Sequence, residues 1–343
     1  MLRHLRSASP AAGSTRPAST TVARAGFNVG LATCRLVDTT RTTFDYATGQ
    51  TLPERVLVTE VRYPTTNGSP GAATRGAHPA YRRGPYPVIV FAPGYNVTPD
   101  TYRKLLDFWV RHGFVVAAPT FPDTNPAAVA AARFGDPEDD LTNQPGDVAF
   151  VTREVLRAAR VSSSPCRVLH GLVDGAQVGL AGQSDGAETV GALAFDKNDL
   201  AAAAGLRYRA VAVMSGQELD MAPGAYGAAP GAPALLVVQS ATDRCNPPQE
   251  SGALYAAVPI ADKWFLKIFH ASHLGPYDAS APAAFGVVAR VSTYFFAQTL
   301  HGRSLAGLPG IARPWRTIAS VSTGPNPPVL PNLAFSKPAC KAP

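Results

Sequence analysis

Hydrophobic and polar positions follow two rhythms along this chain. Val56–Tyr63 (VLVTEVRY) is β-branched and alternating, which predicts a strand with one buried face. Tyr86–Ala92 (YPVIVFA) is a near-continuous apolar run and predicts a strand covered on both faces of a sheet. Thr98 or Asp100 is placed to cap a helix running to about Arg111, with Gly113 as its stop. Phe114–Ala118 reads as the next buried strand. A Pro-, Asn- and Asp-bearing stretch fills 120–146, with a short helix expected at 127–133. Asp147–Arg160 reads as a helix, with Val148, Val151, Val155, Leu156 and Ala159 as its apolar positions. Val178–Ala181 is a strand leading into Gly182, and a helix is expected from about Asp185 to Phe195. Strands at 209–214, 234–239 and 263–269 and helices near 248–257 and 281–300 complete the series. This alternation predicts an α/β fold: a mostly parallel central sheet with helices on both faces, spanning residues 26–305. From about residue 306, Pro309, Pro314, Pro327, Pro328, Pro331 and Pro338 punctuate an irregular extension, expected to pack on the body (306–343).

Composition narrows the function classes. The 46% of hydrophobic residues excludes wholesale disorder. No apolar run reaches about 18 residues, so no transmembrane segment is expected. The formal charge of +7 invites a nucleic-acid reading, but its placement argues against one. Residues 1–37 hold five Arg and no acid, and residues 301–343 hold five cations and no acid. The body between them is slightly acidic, so a basic groove on the folded domain is not expected.

Residues 1–25 are rich in Ser, Thr, Ala and Arg and lack the apolar centre of a secretory signal. They are read as a disordered leader or a signal remnant. Cys34, Cys166, Cys245 and Cys340 permit three pairings, between which sequence cannot choose; four ordinary thiols are the alternative. None lies in a CxxC, no His stands at zinc-ligand spacing, and no metal site is expected. Disulfides tethering the terminal segments would suit an exported protein, and export is favoured over a cytoplasmic location.

The sharpest local signal is Gly182-Gln183-Ser184-Asp185-Gly186, a G-x-S-x-G string where a buried strand ends and a helix begins. That context is the nucleophile elbow: small flanking residues let strand and helix approach, and the serine oxygen is held above the sheet edge. A serine nucleophile needs a base, and the base needs an orienting carboxylate, in the chain order Ser, acid, His. Asp243 follows strand 234–239, and His273 lies in the loop after strand 263–269. Both loops open on the same sheet edge as Ser184. His270 competes with His273 but abuts the strand and is the less favoured base. Glu218 and Asp220 compete with Asp243 and are the less favoured acids. Strand 86–92 exits through Ala92-Pro93-Gly94-Tyr95, so the backbone N–H groups of Tyr95 and Asp185 are the expected oxyanion donors. The Tyr95 ring is then expected to line the cleft.

These stretches resemble the α/β-hydrolase superfamily. More narrowly, the chain is similar to the branch of platelet-activating-factor acetylhydrolase-like, chlorophyllase-like and dienelactone-hydrolase-like proteins, near bacterial cutinases and polyethylene-terephthalate hydrolases. The resemblance rests on VGLATCRLVDTTR (29–41), VLVTEVRYPT (56–65), YPVIVFAPGY (86–95), RHGFVVAAPTFPDT (111–124), VDGAQVGLAGQSDGAETV (173–190), ATDRCNPP (241–248) and HASHLGP (270–276). It implies an α/β-hydrolase fold with Ser184 as nucleophile, Asp243 as acid, His273 as base, and Tyr95 and Asp185 as oxyanion residues. Many cutinases and polyester hydrolases carry His or Trp before the serine and an apolar residue after it. Gln183 and Asp185 make this floor more polar, which counts against a polyester substrate.

Only residues 215–233 separate the strands between which such hydrolases often insert a lid. No cap domain is therefore expected, and the cleft should be open, with walls from 120–146 and 215–233. The expected function is a serine carboxylic-ester hydrolase acting on a small-molecule, lipid or polymeric ester through an acyl-enzyme. It needs no metal or organic cofactor and is expected to act as a monomer. The alternatives are an amidase, thioesterase or acyltransferase of the same fold, or a non-catalytic binding protein on this scaffold. The complete Ser, Asp and His set weighs against the last.

Overall fold

The continuous apolar runs become the middle of one large sheet. The structure, a computed structural model, describes residues 25–219 and 226–340. In chain order the strands are β1 (Asn28–Asp38), β2 (Thr43–Asp45), β3 (Gln50–Leu52), β4 (Arg55–Thr65), β5 (Ala73–Arg75) and β6 (Tyr86–Ala92). Then come β7 (Val115–Thr120), β8 (Val173–Gln183), β9 (Ala210–Met214), β10 (Ala234–Ser240), β11 (Lys263–Ile268) and β12 (Ala319–Thr323). The helices are α1 (Arg103–Arg111), α2 (Pro126–Ala131), α3 (Gln144–Arg160), α4 (Asp185–Phe195), α5 (Pro248–Ala257), α6 (Gly275–Asp278), α7 (Pro282–Leu300) and α8 (Leu308–Ala312).

The ten-stranded sheet has the order β12-β11-β10-β9-β8-β6-β7-β4-β1-β5, and β2 and β3 form a separate hairpin. Its centre, β11 through β7, is parallel throughout. β4 and β12 join the two sides of that centre antiparallel. Every residue of β6 is buried, as a strand covered on both faces requires. One apolar core packs α3, α4 and α5 on one face of the sheet, and a second packs α1, α6, α7 and α8 on the other. Trp109 of α1 is fully buried in the second and donates its indole N–H to Ser292 Oγ of α7 at 3.0 Å. The sheet therefore matches the expected α/β class, with helices on both faces.

Several boundaries differ from expectation for physical reasons. A 3₁₀ turn, Pro99–Tyr102, precedes α1, and neither Thr98 nor Asp100 caps it by a side chain. Asp100 instead pairs with Arg103 at 3.2 Å. Gly113 does end the helix, with φ near +93°. The segment beyond 306 is not irregular throughout: it supplies α8 and the edge strand β12. β12 escaped notice because Ala319 is its one buried residue, as on an edge facing water. Segment 226–227 runs along α4, where Gly227 N–H donates to Phe195 O at 2.8 Å and Tyr226 bridges Asp196. Residues 1–24 of the expected leader 1–25, and Asp220, lie outside the described residues.

The four cysteines form Cys34–Cys166 and Cys245–Cys340. The first ties β1 to the segment after α3. The second ties the C-terminal segment to the loop after β10. Their sequence separations are 132 and 95. On the chain-entropy account, loops of this length are worth up to about 5 kcal/mol each. No helix among the described residues is long and apolar enough to cross a membrane.

Candidate active site

Strand order changes direction between β6 and β8: β7 lies outside β6, whereas β9, β10 and β11 follow β8 on the other side. That switch point opens a crevice at the C-terminal strand ends. Ser184 stands there, between β8 and α4, with φ 57° and ψ −128°. A non-glycine residue in this region is strained by about 1–3 kcal/mol, and packing must hold it. The neighbouring glycines show how. A Cβ on Gly182 would overlap the Gly186 carbonyl, and one on Gly186 would overlap the Ala92 carbonyl of β6. Strand, helix and the adjacent strand therefore meet backbone to backbone, and the serine is pushed out of line.

The structure brings Asp243 and His273 together beside this turn. His273 is 5% exposed and Asp243 1%. His273 Nδ1–H donates to Asp243 Oδ2 at 2.8 Å. The other oxygen, Oδ1, accepts the backbone N–H groups of Cys245 (2.9 Å) and Asn246 (3.2 Å), so the carboxylate cannot swing away. The two loops are also clamped to one another. Ser240 Oγ donates to Ala271 O at 2.8 Å and accepts from Ala271 N–H at 3.1 Å, while Thr242 Oγ1 reaches the same carbonyl. His270 is exposed and makes no hydrogen bond to either member of this pair among the described residues. Glu218 faces Tyr226, on the segment that runs along α4.

The remaining nitrogen of His273 does not meet Ser184. Gln183 Nε2–H donates to His273 Nε2 at 3.0 Å. The orientation of this amide follows from its other end. The Gly94 N–H can only donate, and it donates to Tyr102 Oη at 3.2 Å. Tyr102 Oη in turn donates to Gln183 Oε1 at 2.7 Å, which leaves the NH₂ group for the imidazole. Gly94, Tyr102, Gln183, His273 and Asp243 thus form one directed string of hydrogen bonds. Nε2 carries no proton in it and has one lone pair, which Gln183 occupies. Sequence reasoning gave Gln183 no part beyond polarity; its place directly before Ser184 was the only signal.

Tyr95 follows β6 and Asp185 opens α4, so both flank Ser184. Neither amide donates to another backbone carbonyl among the described residues. Asp185 adds the positive end of α4 beside the serine. Its carboxyl is 6% exposed, and Oδ2 has no hydrogen-bond partner. Burial, then the charge of Glu138, pushes its pKa up to about 7.

The wall 120–146 is held from below by buried charge. Arg55, fully buried at the start of β4, grips Asp140 through Nη1 and Nη2 at 2.9 and 2.8 Å, and Asp147 through Nε and Nη2 at 2.8 and 2.7 Å. Arg41 adds a bond to Asp147 at 2.6 Å and one to Asp38 at 2.8 Å. Asp123 lies 4.0 Å from Arg55 and next to Asp140. Burial, then the Asp140 charge, pushes Asp123 up to about 7, against the pull of Arg55. The folded state therefore holds a proton on Asp123 that the unfolded chain releases near pH 4. This group's contribution to stability falls as pH rises from about 4 to about 7. Asp123→Asn has no such proton, so its stability relative to the native chain should improve from pH 5 to pH 8 in paired urea titrations. A pH-independent difference would remove the assignment.

Residues 46–217 match the family model described as Chlorophyllase, half of the chain. The match spans Tyr95, Ser184 and Asp185 and stops short of Asp243 and His273. The solved structure of a ferulic acid esterase from Streptomyces cinnamoneus shares the fold, with a TM-score of 0.61 at 19% identity. The likeness covers 84% of this chain and 95% of that one. No curated protein matches the chain.

Proposed function

The chain belongs to the chlorophyllase family, within the esterase branch of the α/β-hydrolases, and on that premise we propose that it is a serine carboxylic-ester hydrolase. Ser184 is the nucleophile, His273 the base, and Asp243 the carboxylate that orients it. The observation that carries this reading is the buried Asp243–His273 pair beside a strained serine. Asp243 accepts the hydrogen bond from Nδ1–H and keeps the proton on that nitrogen, so Nε2 is the nitrogen with a free electron pair once Gln183 releases it. Nε2 then removes the Ser184 hydroxyl proton as Oγ bonds to the ester carbon. The negative charge on the carbonyl oxygen is met by the Tyr95 and Asp185 amides. Collapse of the adduct breaks the carbon–alcohol bond, and His273 returns its proton to the departing alcohol oxygen. Water repeats the cycle on the acyl-enzyme and frees the acid.

A fluorophosphonate tests the nucleophile directly, since it phosphonylates an activated serine with loss of fluoride. One equivalent should add to the native protein, and peptide mass mapping should place it on Ser184. Addition at another residue, or none, would overturn the assignment.

A further inference from the structure

The base is held at rest by a side chain that takes no part in making or breaking bonds. Gln183 is the last residue of β8, pairs with Met214 of β9, and is 1% exposed. The sheet fixes its backbone, and its amide spans the gap between Tyr102 and His273, at 2.7 and 3.0 Å. Gly94 makes room for it: a Cβ there would stand 3.2 Å from Gln183 Oε1 and 3.0 Å from Ser184 Cβ. Tyr102 is fully buried, and burial raises its pKa, so its hydroxyl keeps the proton that it gives to Oε1. Turning the amide over would set the lone pairs of Oε1 and Nε2 against each other.

Nε2 has one lone pair, and the Gln183 N–H and the Ser184 O–H cannot both donate to it. The serine hydroxyl meets the Asp185 carboxyl instead. Nucleophile and base are thus both in place and both engaged elsewhere. We propose that Gln183 is a positioning residue that acts as a latch, holding His273 Nε2 off Ser184 until the two donors exchange. This rests on the serine-esterase reading and adds a step to it: Ser184 displaces Gln183 before each acylation. The neutral hydrogen bond given up in that exchange corresponds to a factor of about three to ten in rate.

The latch is tested on the full chain with two variants of one shape and opposite expectation. Phosphonylation of Ser184 by an uncharged alkyl fluorophosphonate is followed by intact mass, and acylation by p-nitrophenyl acetate is followed in stopped flow. Gln183→Met keeps the side-chain length and removes the N–H. Both rates should rise about three- to tenfold, with KM little changed. Gln183→Glu keeps the bond from Tyr102 and offers Nε2 only lone pairs, so a second carboxylate besides Asp243 favours the protonated ring. Both rates should fall at pH 7 and recover at higher pH, with the acid limb of the profile above that of the native chain. A purely structural role would slow both variants alike at every pH. A Gln183→Met protein no faster than native, or a Gln183→Glu profile that superimposes on the native one, would overturn the latch. Where Gln183→Met does not fold, the Gln183→Glu profile decides alone. Ser184 unlabelled in the native chain and both variants would overturn the serine-esterase reading, whereas native rates in both variants would remove the latch and leave that reading standing.

Discussion

Ser184→Ala should lower kcat for a p-nitrophenyl short-chain ester by about 10⁴- to 10⁶-fold while circular dichroism and thermal midpoint stay near native. The expectation of an intact fold has a structural basis. Ser184 Oγ makes no hydrogen bond with His273, whose Nε2 is engaged by Gln183, so its loss strands no partner in the string. The strained backbone is held by the close approach of β8, α4 and β6, which alanine preserves. His273→Ala should lose a comparable factor. His270→Ala should keep most of the rate, because that ring is exposed and the imidazole paired with Asp243 is that of His273. Asp243→Asn should cost about 10⁴-fold without disturbing the backbone, because an amide NH₂ facing Nδ1 favours the tautomer with the proton on Nε2. Steady-state and single-turnover assays decide all four. Retained hydrolysis by Ser184→Ala, or a His270 variant worse than a His273 variant, would overturn the assignment of roles.

The parts of this site that were legible in the sequence are those that depend on local pattern. Tyr86–Ala92 and 234–239 read as buried strands because both faces of a parallel sheet are covered, and apolar runs follow. The elbow was legible because close strand–helix approach needs Gly182 and Gly186 whatever the rest of the chain does. What was hidden depends on partners distant in sequence. Gln183 looked like a polar floor residue, and only Tyr102, 81 residues away, fixes which end of its amide faces His273. The cysteine pairing is set by where β1 and the C-terminal segment dock. β1 was missed because it enters the sheet through an antiparallel partner, with mixed burial along its length. Arg55 stands just before the strand expected at Val56–Tyr63 and carried no signal of its own, because its acids arrive 85 and 92 residues later.

Arg55→Met should cost about 3–5 kcal/mol of stability, a loss on a par with removing a structural disulfide. The guanidinium is fully buried and makes paired bonds to both Asp140 and Asp147. Its removal leaves two carboxylates in a low-dielectric interior, with Arg41 reaching only Asp147. Arg55→Lys should recover little, because a point charge cannot make two forked contacts at once. The cost comes from stranded charge rather than lost attraction, and that distinction is measurable. The triple change Arg55→Met, Asp140→Leu and Asp147→Leu removes charge and countercharge together, so it should be less destabilising than Arg55→Met alone. Asp140 also anchors the wall segment 120–146 beside the proposed cleft. The single variant should therefore raise KM in the residual folded protein more than it lowers kcat, since Ser184, His273 and Asp243 are fixed by other strands. Urea titration with kinetics on the same samples separates the two effects. A triple variant no more stable than the single one would mean that Arg55 acts by its own bonds and not by neutralising buried acids.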